Sequence, residues 1–196
     1  MAQWLTNPQG LPPYDLLMDE VVRKKQEKYP SIDPLSFSNQ VEELMRVIAY
    51  HETGPQQRNL PEAQQIGGPG RGLFQYELEE SSIYPTASGA GRTAMNRLYN
   101  LLGDEGLPKW AYKYFDQYFD PLGDVDFSEL TEDQQKLLFL ADKLQDPIEG
   151  NIAAIGEVAD STWWQKYHYK GKEAKESKFQ DSKRSYLNNS IRLLQD

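Results

Sequence analysis

A chain of 196 residues without cysteine is long enough to bury about 70% of its unfolded surface in one core, and it excludes disulfides, zinc–thiolate sites, iron–sulfur clusters and thiol catalysis. Its 21 Lys and Arg against 30 Asp and Glu leave a net charge of −9, which repels phosphate backbones and anionic lipid, so neither a nucleic-acid partner nor a membrane role is expected. No apolar run nears the roughly 20 residues of a membrane span, and Met1–Pro8 has neither the basic nor the apolar segment of a secretory signal.

One domain over residues 1–196, mainly α-helical, is the expected organisation. Pro8, Gly10, Pro12 and Pro13 make residues 1–13 an extended arm. From Tyr14 the pattern Leu16, Leu17, Glu20, Val21 predicts a helix that ends before Pro30. After a turn at Ser31–Pro34, Ser36 or Ser38 is expected to cap a second helix with the apolar stripe Val41, Leu44, Met45, Ile48, Ala49, stopped by Gly54-Pro55. Residues 55–91 are rich in Gly and Pro and read as a long loop, with Gly72–Glu77 the one short stretch of strand character, beside a tight hairpin. Helices are then expected over Arg92–Leu102 (closed by Gly103), Lys109–Phe119 (with Pro108 at its first position) and Ser128–Gln145. Ser161 or Thr162 is placed to cap a short aromatic helix, Trp163–Tyr167. Residues 168–181 are polar, Lys/Glu-rich and expected to be exposed, and Ser182–Leu194 reads as a final amphipathic helix.

Two features of this pattern bear on chemistry. Glu52 extends the apolar stripe by one turn, so its carboxyl is expected on the buried face, in the last turn of its helix. Desolvation and the negative end of the helix dipole both favour the protonated form, and both push its pKa upward, as a general acid at neutral pH requires. An ordinary end-of-helix Glu turned to water is the competing reading. The Gly67–Gly72 run lacks the Lys-Ser/Thr of a phosphate-binding loop and the spacing of a dinucleotide fold. It either admits a ligand close to the backbone or makes a flexible hairpin.

Taken in order, helix–Glu52-Thr53-Gly54, a loop, and then Gln65-Ile66-Gly67-Gly68-Pro69-Gly70-Arg71-Gly72-Leu73-Phe74-Gln75-Tyr76-Glu77 resembles the lysozyme-like superfamily. The likeness is to lytic transglycosylases and goose-type lysozymes, in which a catalytic Glu at a helix end is followed by Gly-Leu-Met-Gln, and above all to phage-encoded members. It covers roughly Val47 to Glu77, about a sixth of the chain. The third transglycosylase motif, a Tyr-Asn-x-Gly turn, is not matched, since Tyr99–Gly103 has one residue too many.

The resemblance implies a lysozyme-like helical domain with a small β-hairpin beside an active-site cleft. Glu52 would be the catalytic acid/base, and Gln75 would contact sugar. Gly72, Phe74 and Tyr76 would belong to the hairpin at the substrate, and Thr53 would take the place of the usual Ser. Arg71 is expected to pair with Glu77 across the hairpin. A two-carboxylate mechanism needs a partner at about 5–5.5 Å or about 6.5–9.5 Å, for which Glu62, Glu77, Glu79 and Glu80 are candidates. Without one, a single Glu acts as acid and then as base, and the sugar's 6-hydroxyl closes a 1,6-anhydro ring. Trp163 or Trp164 would add an aromatic stacking face to a sugar groove, while Trp110, Tyr114 and Phe115 are expected in the helix core.

The expected activity is phage-type cleavage of peptidoglycan glycan strands, by a lytic transglycosylase or a lysozyme. It would need no cofactor and no metal, for which His51 and His168 are too few and too far apart. The acidic balance favours a virion-carried component, in contact with other virion proteins and acting in the host periplasm or cell wall. The alternative is a non-catalytic phage structural or assembly protein on a lysozyme-like scaffold.

Overall fold

The computed structural model describes residues 5–53, 56–57, 59–119 and 122–144. The expectations for Gln145 onward, including the aromatic helix with Trp163 and Trp164, the polar segment 168–181 and the final helix, lie outside the described residues, as does the Gly54-Pro55 stop. Within them the protein is mainly α-helical, with one small two-stranded antiparallel sheet. No helix among the described residues is long and apolar enough to cross a membrane.

Helix α1 spans Pro13–Lys28. Proline suits the first turn, where its missing N–H has no partner to lose. Leu17, Met18, Val21, Val22 and Lys25 fall on one buried face at helical spacing. The Lys25 ammonium lies 4.6 Å from the Tyr29 ring centre and 5.4 Å from that of Phe37, so its charge faces aromatic surface. Before α1, the arm is tied down: the Leu5 N–H donates to Leu101 O at 2.7 Å, and Asn7 exchanges two hydrogen bonds with the Leu11 backbone.

Helix α2 spans Pro34–Glu52. Its cap corrects the sequence expectation: Asp33, not Ser36 or Ser38, is the N-cap, and its carboxylate accepts the Ser36 N–H at 2.7 Å. Asp before Pro supplies a cap and a pre-set φ together, and so starts the helix three to five residues earlier. Phe37, Val41, Leu44, Met45 and Ile48 form the buried stripe.

The hairpin comes next. Strand β1 is Gly70–Arg71 and strand β2 is Tyr76–Glu77, paired Gly70 to Glu77 and Arg71 to Tyr76. Gly72–Gln75, expected as the body of a strand, is instead the turn, because Gly72 (φ +73°) and Gln75 (φ +49°) both take left-handed conformations that an extended strand excludes. An isolated bridge from Gln64 to Arg71 adds one further rung.

Helix α3, Ala90–Gly106, is longer than expected: Gly103 (φ 65°, ψ −176°) kinks it, and one more turn follows. The expected helix Lys109–Phe119 is a shorter 3-10 helix, Lys109–Tyr114, with Pro108 just outside it as the N-cap. A 3-10 turn at Phe127–Glu129 precedes α4, Glu132–Leu144. Helix α4 is the centre of the arrangement: α3 and α1 both pack on it, α2 packs on α1, and β2 leans on α3. Phe37, Ile48, Leu98, Phe127, Leu138 and Leu140 are fully buried at this junction.

Candidate functional site

Glu52 is the last residue of α2 and is half-buried. The stripe before it is fully in the core, with Ile48 at 0% and Ala49 at 4% exposure. Thr53 follows as the C-cap and is buried. Its hydroxyl donates to Ala49 O at 2.7 Å and accepts the Asn59 N–H at 3.0 Å. Those two bonds close the helix and tie it to Asn59, so the Thr53 hydroxyl, which in the place of the usual Ser could bond a carboxyl or a sugar, is engaged by the backbone.

The hairpin turn is set opposite by equally specific contacts. The Gly72 N–H donates to Ala63 O at 2.7 Å, and a Cβ at Gly72 would lie 2.4 Å from Gln135 Oε1 and 2.8 Å from Phe127 Cβ. Gln75 is half-buried, and its amide Nε2 donates to Gly72 O at 2.7 Å. Phe74 is buried with its ring stacked 4.4 Å from Phe139. Tyr76 turns inward: its ring stacks on Phe127 at 4.4 Å, and its hydroxyl donates to Asp142 Oδ2 at 2.8 Å. It docks the hairpin onto α4, with neither end of the side chain left for a sugar.

The two sides meet at a cavity of about 430 Å³, within the size range of small-molecule sites. Its floor is apolar (Met45, Ala49, Leu73, Phe74), and its rim is polar, with Glu42, Arg46, Asn59, Glu132 and Lys136. The α2 wall ends at Ala49, one turn before Glu52, and Asn59, held by Thr53, closes that end. Thus α2 and the loop after it reach this cavity through Ala49 and Asn59, and the turn reaches it through Leu73 and Phe74; of the predicted site residues only Phe74 lines it, while Glu52, Thr53, Gly72 and Gln75 do not. Tyr76 belongs to the other side of the hairpin, and Trp163 lies outside the described residues.

The acidic candidates separate. Glu62 is exposed. The Glu77 carboxylate accepts the Ser88 N–H at 2.9 Å. Glu79 pairs with Arg92 at 2.6 Å, and Glu79 and Glu80 line a different groove, with Arg92, Asn96 and Arg97 of α3. The expected Arg71–Glu77 pair is replaced: Arg71 is buried, its Nε lies 3.7 Å from Asp126 Oδ2, and its Nη1 donates to Gly68 O and Gly70 O. The register sets Arg71 across from Tyr76, and the guanidinium serves the loop's carbonyls instead.

Two polar residues of α4 escaped the sequence reading. Gln135 is fully buried, and its Oε1 accepts the Leu73 N–H at 2.7 Å. Asp142 is buried between Tyr76, Arg97 and Lys143, the last at 2.9 Å. Burial pushes its carboxyl pKa up, but the charges of Lys143 and Arg97 and the hydrogen bonds from Lys143 and Tyr76 outweigh that and hold it below the usual aspartate range. The signal was the one used for Glu52: Gln135, Leu138 and Asp142 fall on one helical face, so two polar residues land on an apolar stripe.

Compared with known proteins, the chain matches no family model, no curated protein and no solved structure.

Proposed function

We propose that this protein is a phage-type peptidoglycan-cleaving glycosidase, a lytic transglycosylase or lysozyme on a lysozyme-like fold, with Glu52 as general acid/base. The observation that carries the reading is a cavity between α2 and the hairpin turn, lined by Ala49 and Asn59 on one side and Leu73 and Phe74 on the other, with Glu52 one turn beyond its α2 wall and Gln75 next in sequence to Phe74. A half-buried carboxyl at that place can protonate a glycosidic oxygen as the bond to the anomeric carbon breaks. Gln75, on the turn, is the polar group that would bond a sugar.

The engagement of Glu77 by the Ser88 N–H and of Glu79 by Arg92 takes those two candidates out of a two-carboxylate route, for which Glu42 and Glu132 on the cavity rim would be the partners; with neither in use the single-carboxylate route applies. There Glu52 first gives its proton to the leaving oxygen and then takes one from the sugar's 6-hydroxyl, and the product carries an anhydro ring. Glycan strands of peptidoglycan are the substrate. The site of action is the host periplasm or wall, reached from the virion alongside other virion proteins.

The test is cleavage of purified peptidoglycan by the wild type and Glu52→Gln, with the products separated by mass. Loss of roughly 10³-fold in rate with the near-isosteric change is expected from removing a general acid. A product mass short of one water identifies the transglycosylase, and full hydration identifies the lysozyme. A second reading, a non-catalytic virion structural or assembly protein, draws on the internal employment of Thr53 and Tyr76. Two folded proteins that leave peptidoglycan intact would establish that reading over the first.

A further inference from the structure

We infer that Gln135 is a positioning residue for the Glu52–Gln75 site; the inference rests on the glycosidase reading and adds to it a residue outside the motif that suggested it. Gln135 lies on α4, far along the chain from both halves of the site, and has 0% exposure. Its carboxamide is fully directed. Oε1 accepts the Leu73 N–H at 2.7 Å, and Nε2 donates to Pro61 O at 2.8 Å and to Leu130 O at 2.9 Å. Both amide hydrogens are therefore spent. The partners also fix which end is oxygen, since a carbonyl can only accept and a backbone N–H can only donate.

Those partners belong to three separate segments. Pro61 is in the loop that leaves the end of α2, Leu73 is in the turn that carries Gln75, and Leu130 precedes α4. The need for a polar group here follows from the backbone. The left-handed Gly72 pulls the turn out of strand geometry, leaving the buried Leu73 N–H facing α4, and a buried N–H without a partner is costly. Among the described residues, Gln135 is the side chain that hydrogen-bonds both the loop after Glu52 and the turn before Gln75. The contact is close enough to dictate sequence: any Cβ at Gly72 would collide with Gln135 Oε1 at 2.4 Å. Gln135 is not among the residues that line the cavity. It acts by setting the height of the turn against the loop, and hence the separation of Glu52 from Gln75.

The experiment uses the full chain with Gln135→Met, similar in volume and without the hydrogen bonds, and Gln135→Glu, which keeps the acceptor. In Gln135→Met, kcat on glycan strands is expected to fall by about tenfold or more, as misplacement of a positioned group does, with KM changed less than about threefold. Exchange of the Leu73 amide hydrogen is expected to accelerate by about tenfold or more relative to amides of α3. Gln135→Glu is expected to work at low pH, where the protonated acid both accepts and donates, and to lose kcat as it ionises, in a titration the wild type lacks. A folded Gln135→Met enzyme with wild-type kcat overturns the inference. If Gln135→Met does not fold, a Gln135→Glu profile parallel to wild type overturns it. Absence of wild-type cleavage would defeat the glycosidase reading and this inference with it, whereas wild-type cleavage with an unchanged Gln135→Met kcat defeats the inference alone.

Discussion

Leu98 of α3 and Leu73 of the hairpin turn are both buried in the same apolar core, but they arrive there by different means. Leu98 belongs to a continuous set of apolar side chains contributed by all four helices, while its backbone is satisfied within its own helix. Leu73 is carried on a turn whose N–H is satisfied by the side chain of a distant residue, Gln135. The same contrast holds one strand later, where Tyr76 reaches the core and fastens its hydroxyl to Asp142. The helices are held by summed burial, which is large and tolerant of exchange between apolar residues. The hairpin buries Leu73, Phe74 and Tyr76 in that core too, but adds a few directed polar contacts, each of which matters by its position and its atoms. The region that carries the candidate chemistry is thus the one with the fewest substitutable parts.

The comparison is most directly broken from the helical side. Leu98→Ala is expected to cost about 4 kcal/mol, the transfer term plus an unfilled cavity, read as a shift in urea midpoint at unchanged slope. A cost below about 1 kcal/mol would mean the helical core is not the source of stability described here.

On the hairpin side, Gly72→Ala is expected to cost about 3 kcal/mol, because it combines a left-handed φ with a collision against Gln135 and Phe127. Gly67→Ala sharpens the point. That residue has a similar φ of +71° but nothing within 4 Å of its Cβ position, so only about 1 kcal/mol is expected. Equal costs for the two glycines would remove the role given to close packing at the turn.

Asp142→Asn is expected to cost about 2 kcal/mol, less than for a wholly buried pair, because Arg97 and Lys143 keep some access to water. The pH dependence has a definite sign. Asp142 titrates below its unfolded value, so its contribution is complete above the ordinary aspartate range near about pH 4 and is lost as pH falls through the lower, folded value. Denaturant midpoints taken from neutral to acid pH should therefore fall less steeply in Asp142→Asn than in the wild type. The smallest effect is at the start of α2, where Asp33→Ala removes one cap and is expected to cost about 1 kcal/mol.

How much was legible follows the same division. The buried faces of α1 and α2 could be read directly, because Leu17, Val21, Val41, Leu44 and Ile48 repeat at the helical period. The start of α2 is carried by Asp33-Pro34, but a proline after Ser-Ile-Asp fits the end of a turn as well as a first helical residue, and the local sequence does not separate the two. The strand character assigned to Gly72–Glu77 came from composition. The turn arises from two positive φ values, one of them at Gln75, and no local pattern announces a left-handed glutamine. Lys109–Phe119 has helical spacing, but the chain leaves the helical path after Tyr114, and Phe115 and Phe119 gather instead on Tyr99 of α3, with the Tyr99 and Phe119 rings 5.0 Å apart. For the candidate site, Glu52 at a helix end was readable from periodicity. The supports at Gln135 and Asp142 are not legible in the same way, because the hairpin groups they hold, the Leu73 N–H and the Tyr76 hydroxyl, lie more than 60 residues away in sequence and only the fold brings them together.

The Tyr76 contact also gives the hairpin an optical signature. A phenol stacked nearly parallel to Phe127, at 11°, with its hydroxyl on a buried carboxylate sits in an asymmetric, fixed surrounding. Such a chromophore contributes near-ultraviolet circular dichroism that vanishes when its packing loosens. Undocking of the hairpin can therefore be followed at tyrosine wavelengths while the far-ultraviolet signal of the helices stays constant, with Tyr76→Phe identifying the band and no added label required.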